Sequence, residues 1–267
     1  MASSHEPDPR SHSGFIGRVG MRKWFTEGDA YGDVSVSPWL LGPAGGLRIG
    51  VAAILADLVI GIPASGRTMS TVELSVRWLG DAPGVGSVIA AGRVLKWGER
   101  LMFGESTLLD ESGATVGWAV GTFVTGEVGG PTTLTTAPTP WGGGDAPYAS
   151  VIEALDAELV APGEVVMALA PHVMNGPGGT VQGGIQACLA ELAAECATQE
   201  PHTVTDLAIR YVNRAKVGPI RALAVPFGGR GPTDGLRVEL VDAGDAGRLV
   251  SFATATMRPV GSASIRT

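Results

Sequence analysis

The sequence predicts an α+β protein built from two copies of one unit, each an antiparallel sheet wrapped around a central buried helix. Three observations carry this expectation. Residues 47–61 are apolar at nearly every position, so a helix there has no polar face to turn to water and must be buried on all sides. Four strand-like runs follow it, separated by turn signals such as Ala82-Pro83-Gly84 and Glu111-Ser112-Gly113. The same order then repeats in the second half of the chain.

Residues 1–14 are polar and rich in Ser, Pro and His, the composition of a disordered tail, and His5 and His12 fall within it. Residues 15–25 have a mixed pattern open to a short helix. Residues 33–39 alternate with period two, as a strand does. A Pro/Gly loop at 41–46 leads into the apolar helix, which Gly61 and Pro63 stop. The four strands are expected at 71–79, 87–95, 101–109 and 115–124. Residues 126–148, rich in Gly, Pro and Thr, read as a linker. Beyond it come a short helix at 151–159, a strand at 164–170, a glycine loop at 175–184 and a helix at 185–198. Strands at 204–212, 220–226, 236–241 and 248–259 complete the chain. The expected organisation is a tail at 1–14, an N-terminal unit at 15–125, the linker, and a C-terminal unit at 149–267.

The repeat can be read directly. Ile49-Gly-Val-Ala-Ala-Ile-Leu-Ala-Asp57 aligns with Gly183-Gly-Ile-Gln-Ala-Cys-Leu-Ala-Glu191, with four of nine positions identical and one acid replacing another at the end. Glu73-Leu-Ser-Val-Arg-Trp78 aligns with Asp206-Leu-Ala-Ile-Arg-Tyr211, and Trp118-Ala-Val-Gly-Thr122 with Phe252-Ala-Thr-Ala-Thr256. Three blocks in the same order mark a tandem duplication. Two copies suggest a fused pseudo-dimer rather than a solenoid.

Composition narrows the classes. The 267 residues are 45% hydrophobic and 17% charged, as in a packed globular protein. A net charge of −7 without any Lys/Arg run argues against a nucleic-acid partner. Cys188 and Cys196, eight residues apart on one predicted helix, would be separated by roughly 12 Å along its axis. That is too far for a disulfide, so a reducing compartment is expected. The N-terminus has no apolar signal core, and the most apolar run is interrupted by Arg48 and Asp57 and too short to span a bilayer. The expectation is a soluble, cytoplasmic protein without a membrane partner. Its few charges also suggest a homo-oligomer of the fused units.

Two features carry chemistry. The stretch 175–191 is a glycine-rich loop running into an apolar helix, which leaves backbone N–H groups bare where the helix dipole favours negative charge. Asp57 lies inside the other apolar helix, flanked by Leu55-Ala56 and Leu58-Val59. Burying an unpaired carboxylate raises its pKa or costs several kcal/mol. Asp57 is therefore either a tuned base or nucleophile, or a structural acid paired with an arginine or capping a loop.

The order helix-then-four-strands, with Asn175…Gly183-Gly184…Leu-Ala-Asp/Glu, resembles the hotdog fold. Within it the chain resembles specifically the acyl-CoA thioesterases of the phenylacetate-pathway type, in the 4-hydroxybenzoyl-CoA thioesterase superfamily. The duplication resembles a double-hotdog thioesterase. The resemblance implies that the acid of one half faces the glycine-loop helix of the other. The Gly183 N–H would then polarise the thioester carbonyl, Asn175 would assist, Gln182 would stand where histidine or glutamine is usual, and Thr71 would position a water. Gly184 and His172 are placed beside the substrate. The opposite pairing sets Glu191 against Leu41, Arg48, Ile49 and Gly50, a set lacking the needed donors, and implies a degenerate second site in which Arg48 neutralises Glu191 or else reaches solvent. The substrate implied is an acyl-CoA or an acyl-carrier-protein thioester, with no metal and no cofactor beyond the CoA carried by the substrate.

Two further readings compete. A hotdog enoyl-CoA hydratase would need a histidine about five residues after the helix aspartate, where this chain has Ile62. A catalytically silent acyl-thioester-binding or scaffold protein needs no working site at all. Of the remaining residues, Cys188 is expected in helix packing, His202 in solvent, and Gly228 to Gly231 in a turn.

Overall fold

The computed structural model describes residues 14–26, 29–61, 67–128, 136–140, 148–174, 179–227 and 235–261. The expected tail with His5 and His12, Ile62, most of the expected linker, Asn175 and the turn at 228–231 lie outside these residues. In chain order the elements are α1 (Phe15–Arg18), β1 (Arg22–Thr26), β2 (Asp29–Ser35), α2 (Ile49–Gly61), β3 (Arg67–Trp78), β4 (Ser87–Trp97), β5 (Leu101–Asp110), β6 (Thr115–Val128) and β7 (Thr139–Pro140). The second half follows with α3 (Val151–Ala154), β8 (Ala157–Ala161), β9 (Glu164–Met167), α4 (Gly183–Cys196), β10 (His202–Tyr211), β11 (Ile220–Pro226), β12 (Leu236–Asp242) and β13 (Arg248–Pro259).

All named strands join one antiparallel sheet in the order β7-β1-β2-β4-β5-β6-β3-β10-β13-β12-β11-β9-β8. The β3–β10 pair is the seam, with Val76 opposite Leu207 and Leu74 opposite Ile209. Outward from it each half meets the same succession: the strand after its long helix, then the last, third and second strands, then the strand before the helix. The seam strands are the ones carrying the aligned Glu73 and Asp206 blocks.

Helix α2 is buried along its length except at Leu58 and the terminal Gly61, as an all-apolar helix must be. It packs against α4 across a close crossing. A Cβ on Gly184 would stand 2.5 Å from the Ile54 Cα, and one on Gly50 would stand 2.6 Å from the Cys188 Cα. These two contacts occupy equivalent places in the repeat, and glycine is what lets the backbones approach so closely. The strands cover the helix pair with alternating faces; β12 is buried at every second residue from Leu236 to Asp242.

Several boundaries differ from the sequence expectation, each for a local reason. The expected strand at 33–39 ends at Ser35, because Pro38 opens a 3₁₀ turn over Pro38–Leu40. The helix expected at 151–159 lasts one turn, after which Asp156 takes a left-handed conformation and the chain enters β8. The strand expected at 164–170 stops at Met167, ahead of a second proline-led 3₁₀ turn at Pro171–Val173. The stretch expected to be only a linker begins inside β6 and contributes β7, which pairs with β1. His202, expected in solvent, is 6% exposed at the start of β10, with Nδ1 2.8 Å from the Glu200 carbonyl.

Candidate active site

Asp57 sits on the third turn of α2, where the helix faces both the start of β3 and the N-terminus of α4. It is 8% exposed. Thr71 Oγ1 donates to its Oδ1 at 2.7 Å, and Gln182 Nε2 donates to its Oδ2 at 2.8 Å. Both oxygens are thus held. Burial pushes the carboxyl up to about 6, and the Thr71 hydrogen bond acts in the opposite sense. Near neutral pH such a carboxylate is ionised yet basic enough to accept a proton.

Gln182 has a second task. It is the N-cap of α4, and its Oε1 accepts from the Ile185 N–H at 2.9 Å. One side chain therefore ties the helix start to the acid of the other half. The next two residues, Gly183 and Gly184, open the helix, and their N–H groups have no partner among the described residues. Tyr211, at the end of β10, donates its hydroxyl to the Gly183 carbonyl at 2.8 Å and so orients the first peptide of the helix. A Cβ at position 183 would lie 3.1 Å from that hydroxyl and 3.5 Å from Asp57 Oδ2, so glycine leaves this corner clear.

A cavity of about 450 Å³ opens here, lined by Asp57, Thr71, Gly183 and Tyr211 and, farther out, by Arg214, Lys216 and Arg248. Gly184 is buried at the helix crossing and His172 lies elsewhere, so neither lines this cavity. His172 borders a separate space of about 120 Å³ behind Gln182, together with Phe15 and Ile185. Burial lowers its pKa, and its Nε2 lies 3.3 Å from Asp156 Oδ2. Cys188 is fully buried between the helices, and burial raises its thiol well above the usual range.

The other half holds the same elements in a different state. Glu191, on α4 at the place equivalent to Asp57, is 1% exposed. Its Oε1 accepts from the Ile49 N–H at 3.0 Å and its Oε2 from the Gly50 N–H at 2.9 Å. The first two N–H groups of α2 are thereby filled by the chain's own carboxylate. One extra methylene makes this reach possible; Asp57 is shorter and is held back by Thr71 and Gln182. Arg48 Nη1 lies 3.8 Å from Glu191 but makes its hydrogen bond to Glu195, at 2.6 Å. Burial raises both acids, Glu195 to about 8 with the Glu191 charge adding to the effect. Glu195 was not singled out from the sequence, and no local pattern points to it: it joins the cluster because it lies one helical turn beyond Glu191 on the same face. Tyr211 was legible only as the partner of Trp78 in the repeat. Among the described residues no group of three or more His, Cys, Asp or Glu side chains is arranged to hold a metal ion.

No protein-family description matches the sequence, and no curated protein matches it. Solved structures do resemble it. A tesB protein of Mycobacterium avium subsp. paratuberculosis superposes with a TM-score of 0.60 at 14% identity, covering 89% of this chain and 95% of that one. The 12:0-ACP thioesterase of Umbellularia californica gives 0.57 at 12% identity, covering 88% and 99%. An acyl-ACP thioesterase of Bacteroides thetaiotaomicron gives 0.53 at 11%, covering 86% and 98%. At these identities the likeness is one of fold. This chain shares with these thioesterases a mostly antiparallel sheet with few helices. Among the described residues no helix is long and apolar enough to cross a membrane.

Proposed function

We propose that the chain is a fused pair of hotdog units that hydrolyses an acyl thioester at one site, shared between the halves. The observation that carries this reading is the meeting of Asp57, from α2, with the unfilled N-terminus of α4 at the wall of a sizeable cavity. The Gly183 N–H, and Asn175 as the resemblance implies, stabilise the oxyanion that forms when the thioester carbonyl is attacked. A preorganised donor of this kind contributes about 3–4 kcal/mol. Asp57 removes the proton from the attacking water, or attacks the carbonyl itself to give an anhydride that water then opens. In either route the C–S bond breaks, the carrier leaves as a thiol and the acyl group leaves as a carboxylic acid.

In the other half Glu191 occupies the N–H groups that an oxyanion would need, so that half is closed. The carrier is coenzyme A or a carrier protein.

The test is turnover of a panel of acyl-CoA thioesters, aliphatic and aryl, by the wild-type chain and by Asp57→Asn. Loss of a general base lowers kcat by about 10²–10⁴-fold. The closed half also motivates a second reading, a binding or scaffold protein that has lost chemistry altogether. Binding of acyl-CoA without turnover of any thioester would favour it and remove the enzyme reading.

A further inference from the structure

The cavity beside Asp57 has a counterpart in the other half, and the two differ in charge as well as size. Aligning Tyr211 with Trp78 sets Asn213 on Gly80 and Arg214 on Asp81. The counterpart, lined by Gly46, Trp78, Gly80 and Asp81, holds only about 50 Å³ against about 450 Å³. Asp81 there pairs with Arg258, which lines the same space. In the open cavity position 214 is a cation instead, and Lys216 and Arg248 line the same wall. All three are exposed. Arg248 has Asp245 at 3.6 Å, while the Arg214 and Lys216 side chains have no acidic partner among the described residues. A cluster of cations on a chain of net charge −7 is a local reversal of sign.

The segment that carries them is fixed in place. Asp242, fully buried, accepts from the N–H groups of Lys216, Val217 and Gly218 at 2.7, 2.9 and 2.7 Å. Asn213 donates to the Leu249 carbonyl at 2.9 Å and accepts from Arg248 Nη2 at 2.8 Å, tying two of the cations to one frame. The backbone that carries Arg214 and Lys216, and the Arg248 side chain itself, are therefore set before any ligand arrives, which lowers part of the entropic cost of binding.

We propose that Arg214, Lys216 and Arg248 bind the phosphates at the nucleotide end of coenzyme A, with the pantetheine arm entering the cavity toward Asp57. That the arm carries an acyl group there rests on the thioesterase reading; the phosphate contacts do not. Charge separates the two carriers. A pantetheine arm on a carrier protein is joined by one phosphodiester with a single negative charge, whereas coenzyme A bears a diphosphate and a terminal phosphate, about −4 in all. Three cations, only one with an acidic neighbour, match the polyanion.

The experiment is calorimetric titration of the full chain with free coenzyme A, 4′-phosphopantetheine and pantetheine, at two salt concentrations, with Arg214→Ala, Lys216→Ala and the double variant. Coenzyme A is expected to bind more tightly than pantetheine and to weaken with salt. Each lost cation should weaken it about five-fold, the ceiling for an exposed ion pair, and leave pantetheine unchanged. Equal affinities for coenzyme A and pantetheine, or variants that bind coenzyme A like the wild type, would overturn the proposal. Phosphopantetheine binding as tightly as coenzyme A would overturn the choice of the nucleotide carrier. None of these readouts needs turnover, so a chain that binds coenzyme A as described yet hydrolyses nothing would refute the thioesterase reading and leave the phosphate site standing.

Discussion

At the scale of single residues the contrast lies between Asp57 and Glu191. They occupy equivalent places in the repeat, yet the shorter acid stops at Thr71 and Gln182 while the longer one reaches the two N–H groups that open the facing helix. In the proposed reaction Asp57 must be ionised to act as base or nucleophile, and its carboxyl is raised to about 6 by burial. The rate of thioester hydrolysis is therefore expected to rise with pH through about 6 and then level off. Thr71→Val removes a hydrogen bond that favours the charged form, so the carboxyl goes higher still. The rising limb should move up by about one to two units, since a hydrogen bond to a charged group is worth about 1.5–3 kcal/mol. A pH–rate profile of the two proteins checks this, and an unmoved limb would remove Thr71 from the site. Stability runs the opposite way: an acid whose folded pKa is raised stabilises the fold below its unfolded value near 4, and that contribution is lost as pH rises through about 6.

At the scale of elements, the crossing of α2 and α4 brings the two halves of the site together. Gly50 and Gly184 sit at that crossing, and a methyl group on either would fall within 2.6 Å of backbone atoms of the other helix. Backbone cannot rotate away as a side chain can, so Gly184→Ala is expected to spread the helices and cost about 1–3 kcal/mol. Urea unfolding monitored by circular dichroism measures the loss. Activity should fall further than stability alone accounts for, because Gln182 reaches Asp57 only across this contact. The seam strands β3 and β10 supply the rest of the site from opposite directions, Thr71 from one and Tyr211 from the other.

At the scale of the whole molecule the two halves, alike in strand order, are unequal in their cavities. One cavity is open and carries cations at its edge; the other is nearly filled and has its acid paired with an arginine. Titration with a non-hydrolysable acyl-CoA analogue should therefore give one binding site per chain. Two equivalent sites would mean that the Glu191 carboxylate yields its place to the ligand, contrary to the closure described. One continuous sheet joins both halves, and the helices α2 and α4 pack against each other across the seam.

Much of this was legible in the residues alone. An apolar helix, alternating strands and a recurring Leu-Ala-acid block are local patterns, set by burial and by the periods of helix and strand, and they placed the two long helices, most strands and the repeat within a few residues. Asp57 was legible for a related reason, since an acid among leucines and valines contradicts its surroundings. Short elements were less so: one-turn helices and proline-led 3₁₀ turns contain too few residues to show a period. The rest depended on which residues meet across the seam. That Glu191 closes the N-terminus of α2, that Glu195 joins Arg48, that Gln182 holds Asp57 and that three cations edge one cavity are matters of distance between segments far apart along the chain. No pattern along the chain encodes such distances; packing of α2 against α4 and pairing of β3 with β10 decide them.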